Sequence, residues 1–206
     1  MTGTLAPPGR RERKKAATRQ ALHVAAQELV AERGLAAVTV EAIAQRADVA
    51  TRTFFNHFSS KEEAVLGWDP AEADEITADL RAALGEGLGP LDAIEVAVQA
   101  ATERAAVDSE AFRQRMALVR SEPLVLAASY AQWERLTAAM VEVVEGAVGP
   151  GLYASLVVAV AVAAARTARL EWAQNPGVDL RATLHATFTA LRAGLAQPAP
   201  TRPEHR

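Results

Sequence analysis

The chain has 206 residues, half of them hydrophobic and 23% charged, so it is long enough to bury a core and too apolar for a disordered segment. It contains no cysteine, which excludes disulfides, thiolate metal sites and cysteine nucleophiles. The net charge of −3 is unevenly spread: ten basic residues against five acidic ones give +5 over the first 61 positions and leave −8 for the rest. A basic head on an acidic body suits a protein whose head alone meets a polyanion, although a solvated charge run gives the same count.

In chain order, Met1 to Gly9 with Pro7-Pro8-Gly9 reads as a disordered arm. Leu22, Ala25, Ala26, Leu29 and Val30 follow the spacing of one buried helix face, and Gly34 supplies the stop. Thr39 is a good N-cap for a short helix with Glu41 in its first turn and Ile43, Ala44 and Ala47 inward. Ala47-Asp48-Val49 makes a tight interruption, where Asp tolerates left-handed backbone. A third short helix passes through Thr53-Phe54-Phe55-Asn56-His57-Phe58, and Ser60-Lys61-Glu62-Glu63 is a capping box that starts a fourth.

Further helices are expected up to about Leu84, with a break near Asp69-Pro70, and over Leu91–Val107, Glu110–Arg120, Leu124–Val148, Leu152–Gln174 and Leu180–Leu195. The charge-free Leu152–Ala165 stretch is shorter than the roughly 20 residues that span a bilayer, so it is read as a buried helix. Gln197 to Arg206, with three prolines, reads as a disordered tail. The expected fold is all-α: a helix-turn-helix domain over 10–60 and a larger helical domain over 61–196. With neither a secretory signal pattern nor a spanning segment, the expected location is cytoplasmic.

Two short helices joined by a tight turn, the second polar on one side, describe a helix-turn-helix. Ile43, Ala44, Val49, Phe54 and Phe58 would lock the pair, leaving Thr51, Arg52, Asn56 and His57 outward. Arg pairs with guanine O6 and N7, and Asn with adenine N6 and N7, so Arg52 and Asn56 are candidate base readers. Thr39, Val40 and the free amides of their helix would meet a phosphate, with Lys61 alongside. Arg10, Arg11, Lys14, Lys15, Thr18 and Arg19 would follow the adjacent groove, supplying affinity rather than discrimination. Thr53 and Phe55 complete the candidate DNA-facing set.

The stretch Arg19 to Val65 resembles the TetR family of bacterial regulators. The resemblance rests on Glu32-Arg33-Gly34, Val40-Glu41-Ala42-Ile43-Ala44 and above all Thr53-Phe54-Phe55-Asn56-His57-Phe58-Ser59-Ser60-Lys61-Glu62. It implies a homodimer formed through the last two long helices, a ligand cavity in the carboxy-terminal domain, and release of a palindromic double-stranded DNA operator when a small molecule binds. Phe55 stands where the family usually has Tyr, and Asp48 where it usually has Gly. The Thr51–Val65 form of the motif is similar to a subgroup with acyl-CoA-like effectors; fatty acids or apolar drugs are the alternatives.

In the larger domain Trp68, Phe112, Met116, Tyr130, Trp133, Met140 and Trp172 are candidate cavity walls, or plain core. Arg120 is the candidate contact to an anionic head. Arg113, Arg115, Arg166 and Arg169 have the same alternative, with a salt-bridged surface position preferred for most of the five. Leu180, Leu184, Phe188, Leu191 and Leu195 form a seam suited to a partner helix. An enzyme finds little support: His23, His57, His185 and His205 show no metal-ligand spacing and there is no Gly-x-Ser-x-Gly elbow. No cofactor is expected.

Overall fold

The computed structural model describes residues 9–105, 109–175 and 177–194. Among them are ten α-helices, one 3₁₀ turn and no strand: α1 Arg10–Arg33, α2 Val40–Arg46, α3 Thr51–Phe55, α4 Lys61–Leu66, α5 Pro70–Gly85, α6 Pro90–Ala105, α7 Ser109–Ser121, α8 Pro123–Val148, α9 Leu152–Gln174 and α10 Leu180–Arg192. The 3₁₀ turn, Leu35–Ala37, was absent from the sequence reading. The expected arm apart from Gly9, the tail, and Val107 and Leu195 lie outside the described residues.

The chain divides into two compact units. The first runs to Asp69 and takes in Glu122–Ser129 at the start of α8; the second comprises Pro70–Ser121 and Tyr130 onward. The sequence boundary at 60/61 is therefore too early. Helix α4 packs on α1, and its Ala64, Val65 and Leu66 are buried in the same core as Leu22, Leu29, Ile43, Phe54 and Phe58. Short helices of five to seven residues do not hold themselves in water, so α2 and α4 exist because α1 gives them a surface to bury against, and α3 because α2 does.

Local signals fix their ends. Thr39 Oγ1 accepts from the Ala42 N–H at 3.2 Å, and Ser60 Oγ from the Glu63 N–H at 3.2 Å. The Glu63 carboxylate reaches back to the backbone and side chain of Ser59, at 2.8 and 2.7 Å. Arg46 ties α2 to α1 through Glu28 and Glu32, at 2.9–3.0 Å, in an exposed network.

In the second unit α5 packs on α6, α6 on α9 and α10, α9 on α10, and α7 on α9. Leu184 and Phe188 are fully buried and Leu180 and Leu191 half-buried, so this seam of α10 is met within the chain by α9 and α6. One expectation needs correction. Helix α9 is 23 residues, long and apolar enough by length and composition to cross a bilayer, so the length argument fails. Its Ala154, Val158, Ala161, Ala165, Ala168 and Trp172 are buried in the unit, as in a core helix, while Leu152, Tyr153, Leu156 and Val160 remain exposed.

Candidate nucleic-acid interface and effector cavity

In the first unit the α2–α3 turn is built on Asp48, which adopts φ 53°, the left-handed geometry expected of it, while the Val49 N–H closes on the Ala44 carbonyl at 2.9 Å. This turn presents α3 with Phe54 inward at 0% exposure and Arg52, Phe55 and Asn56 outward. Phe55 is 58% exposed, an apolar ring on an otherwise polar face. Thr51 and Thr53 are half-buried, at the margin of that face. Helix α3 ends at Phe55, so Asn56 caps it and His57 lies in the turn beyond.

His57 is not fully outward. It is half-buried, and its Nδ1 is enclosed without a hydrogen bond. Burial first, then the Arg19 and Lys15 cations, hold its pKa below the ordinary imidazole range, with Asp69 opposing them. The ring is therefore neutral at pH 7 and offers a hydrogen bond rather than a charge.

Arg19 departs most from expectation. Rather than facing a groove it is buried, its guanidinium stacks 3.9 Å from the Phe58 ring centroid, and it donates to the carbonyls of His57 and Trp68. It clamps the segment after α3 and the segment after α4 onto α1. Lys61 has a similar duty: its ammonium donates to the Leu35 and Val38 carbonyls at 2.8 and 2.9 Å, tying α4 to the 3₁₀ turn that leads into Thr39. One of its three hydrogens is left for a phosphate.

The remaining basic residues sit on α1 itself. Arg10, Arg11, Lys14 and Lys15 are exposed along its first two turns, with Arg10 and Lys14 on one face and Arg11, Lys15 and Thr18 on the next. Thr18 is half-buried, and its hydroxyl donates to the Lys14 carbonyl at 3.0 Å. Thr39 and Val40 stand at the N-terminus of α2, exposed and half-buried.

The second unit contains a cavity of about 380 Å³ lined by Thr102, Glu103, Phe112, Arg113, Arg169, Trp172 and the Val178–Arg181 segment. Of the eight residues anticipated for an effector site, only Phe112 and Trp172 line it; their rings lie 5.5 Å apart. Met140 is fully buried in the core, Met116 is half-buried away from the lining, Tyr130 and Arg120 are exposed, and Trp68 belongs to the first unit. Trp133 carries the Arg169 guanidinium 5.2 Å from its centroid.

Arg113 and Arg169, two of the five arginines left open between an anionic head and a salt-bridged surface, also line the cavity. Arg113 stacks 4.4 Å over Trp172, and burial lowers the pKa of Arg169 to about 10. The signal was present: Arg166, Arg169 and Trp172 follow an i, i+3 spacing that puts cation and indole on one helix face.

The comparisons with known proteins agree with this geometry. Residues 22–66 match the family described as bacterial regulatory proteins, tetR family, and residues 88–196 match the MftR C-terminal domain. The chain is 33% identical over 195 residues to the HTH-type transcriptional regulator TcmR of Streptomyces glaucescens, covering 89% of this chain and 85% of that one. Among solved structures it is similar in fold to FadR of Thermus thermophilus, a TetR family repressor in complex with lauroyl-CoA, with TM-score 0.56, 22% identity and coverage of 89% and 98%. It is likewise similar to the fatty acid degradation regulator FadR of Bacillus halodurans, with TM-score 0.59, 16% identity and coverage of 94% and 100%. The second unit thus carries the carboxy-terminal domain of such a regulator and the first its DNA reader: the chain belongs to the TetR family and is a DNA-binding transcriptional regulator.

Proposed function

We propose that the protein is a homodimeric repressor that reads a palindromic operator with α3 and is released when a small molecule enters the second unit. The observation that carries the reading is the polar outer face of α3, with Arg52 and Asn56 exposed on a segment anchored by the fully buried Phe54. Arg10, Arg11, Lys14, Lys15, Thr18, Thr39, Val40 and the free hydrogen of Lys61 are assigned to the backbone, and Thr51, Thr53, Phe55 and His57 to the rim of the reading face. A repressor of this kind acts where the DNA is, which supports a cytoplasmic location and a role without catalysis.

The dimer is assigned to α9 and α10. Leu152, Leu156 and Val160 recur at four-residue spacing on the exposed side of α9, and apolar surface of this kind is what a partner helix covers. The effector reading favoured by the sequence motif is a long-chain acyl-CoA, which the fold likeness to a lauroyl-CoA-bound repressor supports. A second reading, a compact acid, is favoured by the cavity volume, which lies near the lower end of the ~300–1,000 Å³ range of small-molecule sites.

The test is fluorescence anisotropy of a labelled duplex from the DNA beside the protein's own gene, with scrambled DNA as reference. Specific binding should fall with salt at a log–log slope of about −0.9 per phosphate neutralised. Arg52→Ala or Asn56→Ala should relax preference at one base pair per half-site by about 1–3 kcal/mol. An unchanged base preference in both variants would remove α3 as the reader. Addition of lauroyl-CoA should release the duplex if the acyl-CoA reading holds; persistence would retain the regulator and transfer the effector to the second reading.

A further inference from the structure

We propose that the cavity between α6, α7, α9 and α10 is an organic-anion site, in which Arg113 and Arg169 hold a carboxylate and Phe112 and Trp172 receive its apolar body. This deepens the effector reading above and rests on it for the link to DNA, but the site stands on its own geometry.

The cations come first. Among the described residues, neither Arg113 nor Arg169 has a carboxylate within ion-pairing distance. Arg169 makes one long hydrogen bond, 3.4 Å to the Thr102 hydroxyl, which itself donates to the Val98 carbonyl at 2.8 Å. Arg113 leaves its Nε enclosed without a partner. Their other neighbours are aromatic: Trp172 under Arg113 at 4.4 Å and Trp133 under Arg169 at 5.2 Å. Both residues are half-buried, and stacking offsets only part of the cost of removing a guanidinium from water.

The nearby acids do not fill the gap. Of the two carboxylates in the lining, Glu103 is paired with Arg181 at 3.0 Å and Asp179 accepts the Ala182 N–H at 2.7 Å as the cap of α10. The field of Glu72 reaches Arg169, yet burial outweighs it and brings the guanidinium down to about 10, still fully charged at neutral pH. Two forked donors facing one cavity are matched to a carboxylate, which accepts from each. Phe112, Trp172, Val178 and Leu180 supply the apolar part of the lining, beside the guanidinium groups.

Size limits the ligand. About 380 Å³ encloses a fused-ring or medium-chain acid, whereas a nucleotide-bearing thioester would leave most of itself outside. The shared chemistry is therefore a compact amphipathic carboxylate, aliphatic or aromatic.

The experiment is isothermal titration of the full chain with two matched pairs, octanoate against 1-octanol and 2-naphthoate against 2-naphthol, repeated with Arg169→Gln and Arg113→Gln. At least one acid should bind about tenfold or more tighter than its alcohol, and each substitution should remove about that factor from the acid while leaving the alcohol unaffected. The pair that binds identifies the body as aliphatic or aromatic. Circular dichroism checks that each variant is folded, and either one alone carries the test. Equal binding of acid and alcohol, wild-type acid affinity in a folded Gln variant, or no binding by either acid overturns the site. An acid that binds without releasing operator DNA supports the site and sinks its role as effector. Release by lauroyl-CoA that both variants show undiminished keeps the regulator and overturns this site's role in release.

Discussion

Phe54→Ala should destabilise the first unit by about 3–5 kcal/mol, the loss seen when a large buried aromatic is truncated to leave a cavity. Phe54 is fully buried, with Phe55 edge-on at 5.5 Å and Phe58 tilted at 5.8 Å. Helix α3 has five residues and cannot persist without this anchor, so the substitution removes the reading face together with the core. Phe54→Leu retains much of the volume and should cost roughly a third as much. Chemical denaturation followed by circular dichroism checks both. A loss below 1 kcal/mol for Phe54→Ala would show that α3 is held by something other than its core face.

Gly67→Ala should cost about 3 kcal/mol or more, for two separable reasons. Gly67 ends α4 at φ 66°, ψ 13°, where a side chain incurs about 1–2 kcal/mol of backbone strain. A Cβ there would also stand 2.2 Å from the His23 ring, too close for any real contact. His23 has little room to move: it is 5% exposed, and its Nδ1 bonds the Ala64 carbonyl at 2.8 Å. The double variant His23→Ala, Gly67→Ala should therefore be more stable than the sum of the two single losses, by about 1–2 kcal/mol, since removal of the ring relieves the overlap and leaves the strain. Denaturation midpoints of the four proteins in the cycle measure this; strict additivity would mean that α4 shifts to avoid the ring.

Both substitutions act at the junction of α1 with the short helices, and so does Arg19. Its guanidinium joins Phe58, His57 and Trp68 one turn beyond the exposed Lys15, on the same side of α1, so one helix serves both as support and as basic surface. That double use explains why a basic residue inside a basic run does not face solvent. Arg19 shares the buried face of Leu22, His23 and Ala26, and Lys15 lies one turn earlier on the same row; only the packing of the later turn separates the two.

The elements themselves were legible in the sequence because their determinants are local. Thr39 and Ser60 cap the helices they were expected to cap, Asp48 takes the left-handed turn, and the Leu152–Gln174 helix has the bounds read from its pattern. The reader resembled a known family because α2, the turn and α3 carry their chemistry within one short stretch. The second unit resisted for the opposite reason. Its cavity draws residues from α6, α7, α9 and α10, as far apart as Thr102 and Arg181, and no spacing rule joins them. Burial also decided between alternatives that the sequence left open: Leu184 and Phe188 close on their own chain, Met140 fills core, and Arg113 and Arg169 stack on aromatic rings. Sequence determined which segments are helical, where they stop and which face of each is apolar, since caps, turns and periodicity act within a few residues. Which apolar face meets which, and which cations turn onto aromatic rings, was decided by the tertiary structure alone, because burial depends on neighbours brought from distant parts of the chain.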